Sequence, residues 1–137
     1  MLLDPVLVTD VRSWLNRAAN DLHAADVDIA AEPPLLEDAL FHAQQAVEKA
    51  FKAFLTFHDT PFRKTHNLEE IGAECLNIDV SLREIVDEVV PLSEYAWLYR
   101  YPGPSQPPSA DEAKHARELA RTAYRAILDR IPTEAQP

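Results

Sequence analysis

The chain has 137 residues, 47% of them hydrophobic, which allows one domain with a packed core and argues against two or more domains. Its formal net charge of −10 excludes a general polyanion-binding surface, so a nucleic acid would have to bind at a local basic patch. The single cysteine, Cys75, rules out an internal disulfide and a cysteine metal cluster, and it fits a reducing compartment. No window approaches a membrane-spanning length of about 18 apolar residues, and no signal peptide is evident, so we expect a cytoplasmic protein without membrane association.

The N-terminal part of the chain is expected to form a lead and a first helix. Residues 1–8 are predicted to be a disordered or loosely docked lead, because Thr9 is suited to cap the helix that follows. Apolar residues at helical spacing then extend to about Ile29. Pro33 and Pro34 break the chain and open a second helix. We expect these two helices to be antiparallel neighbours.

The second helix, which begins near Leu36 and ends near His58, is the element around which the rest is expected to pack. Its apolar face covers an arc of about 140°, and it consists of Leu36, Ala39, Leu40, Ala43, Ala46, Val47, Ala50, Phe51 and Phe54. A narrower polar stripe lies opposite, and it consists of His42, Gln45, Lys49 and Lys52. At about 35 Å the helix would be as long as a small domain.

Two further helices are predicted before the proline-rich part of the chain. Asn67 and Glu70 have the spacing of a capping box, so a short third helix begins at Leu68. A fourth helix covers about Leu82–Tyr99, and Pro91 is expected to kink it or divide it.

The C-terminal part begins with a proline-rich surface loop over residues 100–109. Ser109 and Glu112 then form a second capping-box pattern, and a fifth helix extends to about Ile131. The tail over residues 132–137 is expected to be frayed.

No strand pattern and no internal repeat competes with this assignment. The sequence therefore predicts an all-α fold, an antiparallel up-and-down bundle of four to five helices, as a single domain over residues 9–131. There is no Gly-rich phosphate loop, no Cys or His metal spacing and no Ser, His, Asp arrangement, so neither a cofactor nor a metal site is predicted.

Four sequence stretches, in this order, resemble the HEPN domain family. They are WLNRAANDLHAA at 14–25, FHAQQAVEKAFKAFL at 41–55, KTHNL at 64–68 and EYAWLYRYP at 94–102. The resemblance covers about Arg12 to Ile131, and the combination is much more specific than any one of the stretches.

The resemblance implies a helical bundle that is usually a homodimer and is tied to nucleotides or RNA. Small members are often encoded beside a minimal nucleotidyltransferase, and the two form a toxin and antitoxin pair. Many members are metal-independent ribonucleases whose site is an Arg, a gap of four to six residues and a His. In such a pair, the Arg holds a phosphate and the His transfers protons.

The chain departs from this ribonuclease motif. Positions 105–107, where the motif would place a His after Arg100, hold Ser, Gln and Pro. The only literal match is Arg17 with His23 in the first helix. Two residues six apart are rotated by about 240° about the helix axis, so their side chains do not face the same point. The sequence therefore predicts a HEPN protein that lacks the usual ribonuclease motif.

The candidate nucleotide or phosphate site combines basic, amide and aromatic residues from the central helix, the turn after it and the end of the fourth helix. These residues are Gln45, Lys49, Lys52, Arg63, Lys64, His66, Arg100 and Tyr101. Within this set His66 is the candidate catalytic residue, Gln45 would read a base edge and Tyr101 would stack on a base. The alternative is structural: the lysines are solvated beside Glu48, and the other residues serve caps and ion pairs.

Two further surfaces are candidates for contacts with RNA or a partner. The basic face of the last helix contains Arg117, Arg121 and Arg125, for which internal salt bridges are the alternative. Phe41 projects on the polar side of the central helix and predicts a subunit or partner interface, unless Phe62 or the first helix covers it.

Three functional hypotheses follow. The first is an RNA- or nucleotide-associated HEPN protein, one half of a module with a nucleotidyltransferase and not itself an enzyme; Tyr99 or Tyr101 would be the hydroxyl that the partner modifies. The second is a metal-independent endoribonuclease that uses His66 with Arg63 or Arg100. The third is a helical interaction or scaffold protein with no nucleotide ligand.

Overall fold

The computed structural model describes residues 2–103 and 106–137, which form a bundle of α-helices. Met1 of the predicted lead, and Pro104 and Ser105 of the proline-rich loop, lie outside the described residues. The α-helices of the described part are α1 (Pro5–Ala30), α2 (Leu36–Phe57), α3 (Leu68–Ile78), α4 (Arg83–Val89) and α5 (Ala110–Leu128). Short 3-10 segments occur at Val80–Leu82, Val90–Ala96 and Thr133–Ala135. None of these residues is in a strand, and the predicted all-α fold class is confirmed.

Helix α2 is the centre of the bundle, as predicted. Helices α1, α3 and α5 and the Val90–Ala96 segment all pack against it. The whole predicted apolar face is buried except for Leu36, which is partly buried. Phe51 and Phe54 are the largest fully buried side chains, and burial of each contributes about 1.5–3 kcal/mol.

Helices α1 and α2 are antiparallel, which the pairs of residues between them show. In the first half of α1, Trp14 lies against Lys52 in the last third of α2. Further along α1, Asp21 bonds His42 in the first third of α2. The short connection between the helices therefore reverses the chain direction, as expected.

The prediction of a loose lead over residues 1–8 is wrong for residues 5–8, which form the first turns of α1. Asp4 caps this helix by accepting from the Val6 backbone N–H at 2.9 Å, and Pro5 occupies the first turn. Thr9, the predicted cap, lies inside the helix and donates its hydroxyl proton to the Pro5 carbonyl.

The C-terminal tail is docked, so the prediction that it is frayed is also wrong. Ala135 is fully buried, and the Arg12 guanidinium donates to the backbone carbonyls of Glu134 and Gln136. The Gln136 side chain donates in turn to the carbonyls of Leu128 and Ile131. The Leu128 carbonyl, the last of α5, also accepts from the Ile131 backbone N–H, so these bonds fix the tail against the end of the helix.

The predicted caps of α3 and α5 are confirmed, but the capping boxes are not reciprocal. Asn67 and Ser109 each accept a backbone N–H bond in the first turn of the helix that they precede. The acidic residues of the two patterns bond elsewhere: Glu70 pairs with an arginine of the preceding turn, and Glu112 accepts from the Tyr95 hydroxyl.

The predicted fourth helix is divided at Pro91. The α-helix ends at Val89, and Val90–Ala96 continues it as a 3-10 segment, because proline has no N–H for the helical ladder. Gly72 of α3 lies against this region. A Cβ at Gly72 would lie 2.6 Å from a methyl carbon of Val86, so glycine permits the close packing of α3 and α4.

Candidate functional site

The polar stripe of α2 faces other parts of the protein rather than solvent. Gln45 and Lys52 are both buried, and His42 and Lys49 are partly buried. Helix α1 and the turn after α2 cover this side. A helix that is surrounded in this way must satisfy its polar side chains internally, and α2 does so through two separate networks.

The first network is centred on Glu48, which is 3% exposed. Its carboxylate accepts from the Lys52 ammonium at 2.9 Å and from the Gln44 amide at 3.2 Å, and it lies 2.7 Å from Nδ1 of His66. The Gln44 amide also donates to the His66 carbonyl at 3.0 Å, and Gln45 donates to the Gln44 side-chain oxygen at 2.7 Å. The network thus fixes the turn after α2 onto the helix.

Lys52 has its charge compensated inside the protein. Besides its bond to Glu48, its ammonium lies 5.6 Å from the ring centroids of both Trp14 and Phe62. Both rings favour a cation over their faces. Lys52, a candidate phosphate ligand, is therefore already paired with a carboxylate and in contact with two aromatic rings.

The second network is centred on Asp21, which is 7% exposed. Its carboxylate lies 2.8 Å from Nδ1 of His42 and accepts from the Lys49 ammonium at 2.6 Å. Lys49 is thus separated from the His66 network and is bonded to α1.

His42 also belongs to a cluster of three potential metal ligands. One potential ligand atom each from Asp28, Asp38 and His42 lies within 4.8 Å of the others, and this is the group of described residues that could hold a metal ion. Burial, and next the nearby Asp38 carboxylate, raise the pKa of Asp28 above its ordinary value.

His66 opens onto a surface cleft. Its side chain is 67% exposed although Nδ1 is held against the buried Glu48 carboxylate. The cleft has a volume of about 410 Å³ and is lined by Thr65, His66, Asn67, Ser93, Glu94 and Trp97. Trp97 is 59% exposed, which is unusual for so large an apolar side chain. The cleft therefore places an oriented histidine beside an accessible aromatic ring.

The two candidate arginines do not join His66. Arg63 forms an ion pair with Glu70, and this pair raises the pKa of Arg63 and lowers that of Glu70. Arg100 lies 3.7 Å from Asp38 and over the Phe41 ring at 4.0 Å. Both arginines line clefts other than that of His66. Arg100 thus covers Phe41 in part, and the interface expected at Phe41 stays a prediction.

The remaining candidates lie on the surface. Lys64 and Tyr101 are exposed, Tyr101 to 77%. On α5, Arg117 and Arg121 both pair with Asp26 of α1, at 3.4 and 3.1 Å. These two arginines thus have the internal salt bridges named as the alternative, whereas Arg125 is exposed.

Gln44, Asp21 and Asp28 were not predicted from the sequence, and Glu48 was predicted only as a charge beside the lysines. One signal was present: Gln44 and Glu48 stand four residues apart and so share a helix face with Lys52. The partners on α1 and in the turn are 18 to 28 residues away in sequence, and no local pattern identifies them.

An all-α bundle with a buried polar stripe on its central helix is the class that fold and site define. The HEPN domain family matches residues 11–131 of the 137. The chain belongs to the HEPN family, and this supports a nucleotide- or RNA-associated protein. Searches of curated proteins and of solved structures give no match. Within residues 2–103 and 106–137, every helix is too short or too polar to cross a membrane.

Proposed function

We propose that this HEPN protein binds RNA or a nucleotide at the His66 cleft and acts as one half of a module with a minimal nucleotidyltransferase, as a toxin and antitoxin pair. The observation that carries the proposal is the exposed Trp97 ring beside the oriented His66 side chain. The proposal also rests on family membership and on the Arg to His spacing, which departs from the ribonuclease motif.

Base stacking would be the main contribution of the cleft. An aromatic side chain that stacks on a base contributes about 1–3 kcal/mol. Among the described residues that line the cleft, Glu94 is charged and none is a lysine or arginine. The cleft would therefore favour the face and edge of a single-stranded base over a run of phosphates. Lys64 is exposed two residues before His66 and is the nearest basic residue in the sequence.

A mobility-shift titration with single-stranded RNA tests the binding site. We expect Trp97→Ala to weaken binding by about tenfold or more, because it removes the stacking surface. Tyr101→Ala is the matched control, since Tyr101 is an exposed aromatic residue outside the lining of this cleft. Loss of binding in Tyr101→Ala with full binding in Trp97→Ala would place the nucleotide away from the cleft and contradict the proposal.

The two-gene module is tested through the partner. We expect a nucleotidyltransferase reading frame beside this gene and co-purification of the two products, with this chain as a homodimer. Incubation with the partner and ATP is expected to transfer one adenylyl group to the Tyr101 hydroxyl, with release of pyrophosphate. Tyr101 is expected rather than Tyr99, because Tyr101 is exposed and Tyr99 stacks on Tyr95. An isolated gene, or an unchanged intact mass, would contradict this part of the proposal.

A second candidate function is metal-independent RNA cleavage, which the Glu48–His66 pair favours. A buried carboxylate at Nδ1 orients the ring and leaves Nε2 to exchange a proton with a ribose hydroxyl. Because Arg63 and Arg100 line other clefts, the phosphate-binding arginine would come from a second copy of the chain.

Incubation of the metal-stripped protein with total RNA separates the candidates. Cleavage at about pH 6 to 8 that disappears in His66→Ala would favour the ribonuclease. Intact RNA that is nevertheless bound would favour the partner protein. If the RNA is neither cleaved nor bound, the scaffold hypothesis is favoured.

A further inference from the structure

Three potential metal ligands converge where α1 ends and α2 begins. Asp28 is in the last turn of α1, and Asp38 and His42 lie one turn apart in α2. One ligand atom from each residue lies within 4.8 Å of the other two. The site is separate from the His66 cleft, so it can be tested without any assay of RNA.

The Asp28 side chain is buried without a full set of partners. Asp28 is 8% exposed, and its Oδ2 atom has no hydrogen-bond partner. An unpaired carboxylate oxygen in the interior is costly, and here a second carboxylate, that of Asp38, faces it. A bound cation would compensate both charges at once.

His42 is oriented for a role as a ligand. Its Nδ1 lies 2.8 Å from the Asp21 carboxylate, and Asp21 is itself held by the Lys49 ammonium. An N–H donated from Nδ1 leaves the lone pair on Nε2. A carboxylate behind a histidine is the usual support of a metal-binding imidazole, because it fixes the tautomer and the ring orientation.

We propose that Asp28, Asp38 and His42 bind one divalent transition-metal ion of the Zn²⁺ type. One imidazole nitrogen and two carboxylate oxygens suit Zn²⁺, and the two aspartates match its charge. Tetrahedral ligands about 2.1 Å from the metal lie about 3.4 Å from one another. Ligand atoms within 4.8 Å of one another reach this spacing by at most a small closure of the side chains. Asp38 can do this, because its side chain is 49% exposed and its contact with Arg100 is a loose 3.7 Å.

The fourth coordination position would face solvent. Asp38 also lines a cleft with Tyr99, Arg100 and Pro108, so a water molecule or an exogenous anion has access from that side. Three protein ligands with one open position are typical of zinc sites that bind a further ligand.

Isothermal titration of the metal-stripped full-length protein with Zn²⁺ tests the proposal. We expect one ion per chain, with Mg²⁺ binding far more weakly. His42→Gln and Asp28→Asn should each weaken Zn²⁺ binding at least tenfold, whereas His23→Gln, which changes an exposed histidine of α1, should not. Circular dichroism confirms that each variant is folded.

Co²⁺ gives a second readout that a purely structural role would not change. The intensity of its visible absorption bands is expected to report tetrahedral coordination in the wild type and to fall in His42→Gln. Asp21→Asn, a change in a positioning residue, should weaken Zn²⁺ binding by about 10- to 100-fold. Equal Zn²⁺ affinity in wild type, His42→Gln and Asp28→Asn would overturn the proposal, as would the absence of Zn²⁺ binding to the wild type.

Discussion

Asp21 and Asp28 lie about two turns apart on the same buried face of α1, at 7% and 8% exposure, yet their surroundings differ. Asp21 has a histidine on one oxygen and a lysine on the other. Asp28 has an oxygen without a partner and faces another carboxylate. The burial of an acidic side chain thus does not by itself identify its role. The set of partners distinguishes an aspartate that stabilises the bundle from one that is available to a ligand.

The same distinction applies along the polar stripe of α2. At its C-terminal end Glu48 is bonded by lysine, glutamine and histidine side chains, and this network orders the turn after α2. Near its N-terminal end, by contrast, the Asp28 carboxylate has an oxygen without a hydrogen-bond partner, and the neighbouring Asp38 has only the 3.7 Å contact with Arg100. Three single substitutions and one double-mutant cycle, given from the largest expected effect to the smallest, test the contrast.

Glu48→Ala is expected to have the largest effect on stability. It leaves the buried Lys52 ammonium without its carboxylate, and removal of one partner of a buried ion pair costs about 3–5 kcal/mol. Urea denaturation measures the loss. Glu88→Ala, at an exposed position of α4, is the control and should change the free energy of unfolding by less than about 0.5 kcal/mol. Similar values for both would show that the network does not stabilise the protein.

Asp21→Asn is expected to lower the free energy of unfolding by about 2 kcal/mol, because hydrogen bonds to charged groups contribute about 1.5–3 kcal/mol. The amide retains the size of the side chain but loses the charge that Lys49 and His42 require. Thermal unfolding of the metal-free protein gives the value. A melting temperature equal to that of the wild type would show that Asp21 is no better compensated than Asp28.

Asp28→Asn is expected to act in the opposite direction and to stabilise the metal-free protein by about 1 kcal/mol. It removes the charge of a buried carboxylate that has one oxygen without a hydrogen-bond partner and that the Asp38 carboxylate repels. The same denaturation experiment applies. Destabilisation comparable with that of Asp21→Asn would contradict the contrast between the two aspartates.

A double-mutant cycle of Asp28→Asn and Asp38→Asn is expected to give the smallest signal, a coupling of about 0.5–1 kcal/mol. Each single change relieves the same repulsion, so the two gains in the free energy of unfolding should not add. Strict additivity would show that the carboxylates do not interact in solution.

Much of the fold can be predicted from the sequence, because helices are recognisable from local sequence patterns. The apolar spacing of α2, the caps at Asn67 and Ser109 and the break at Pro91 are all short-range features, and the structure has each of them. The start of α1 was predicted too far along the chain, because both Thr9 and Asp4 have side chains suited to an N-cap and the actual cap is Asp4.

The site was less accessible from the sequence. A helical projection of α2 separates polar from apolar residues, but it cannot show that α1 and the following turn cover the polar side. The pairing of Glu48 with His66 and the shared cleft of His66 and Trp97 depend on how the chain folds back on itself. The function of the predicted site residues thus stays a prediction, whereas their positions are now described.

The two tryptophans have different surroundings, and this gives the protein two optical reporters. Trp14 is partly buried beside the Lys52 ammonium, whereas Trp97 is exposed at the rim of the His66 cleft. Replacement of Trp14 by phenylalanine would leave a single indole whose fluorescence emission is that of a solvated ring. Quenching of that emission would then follow ligand binding at the cleft directly, without a label on either molecule.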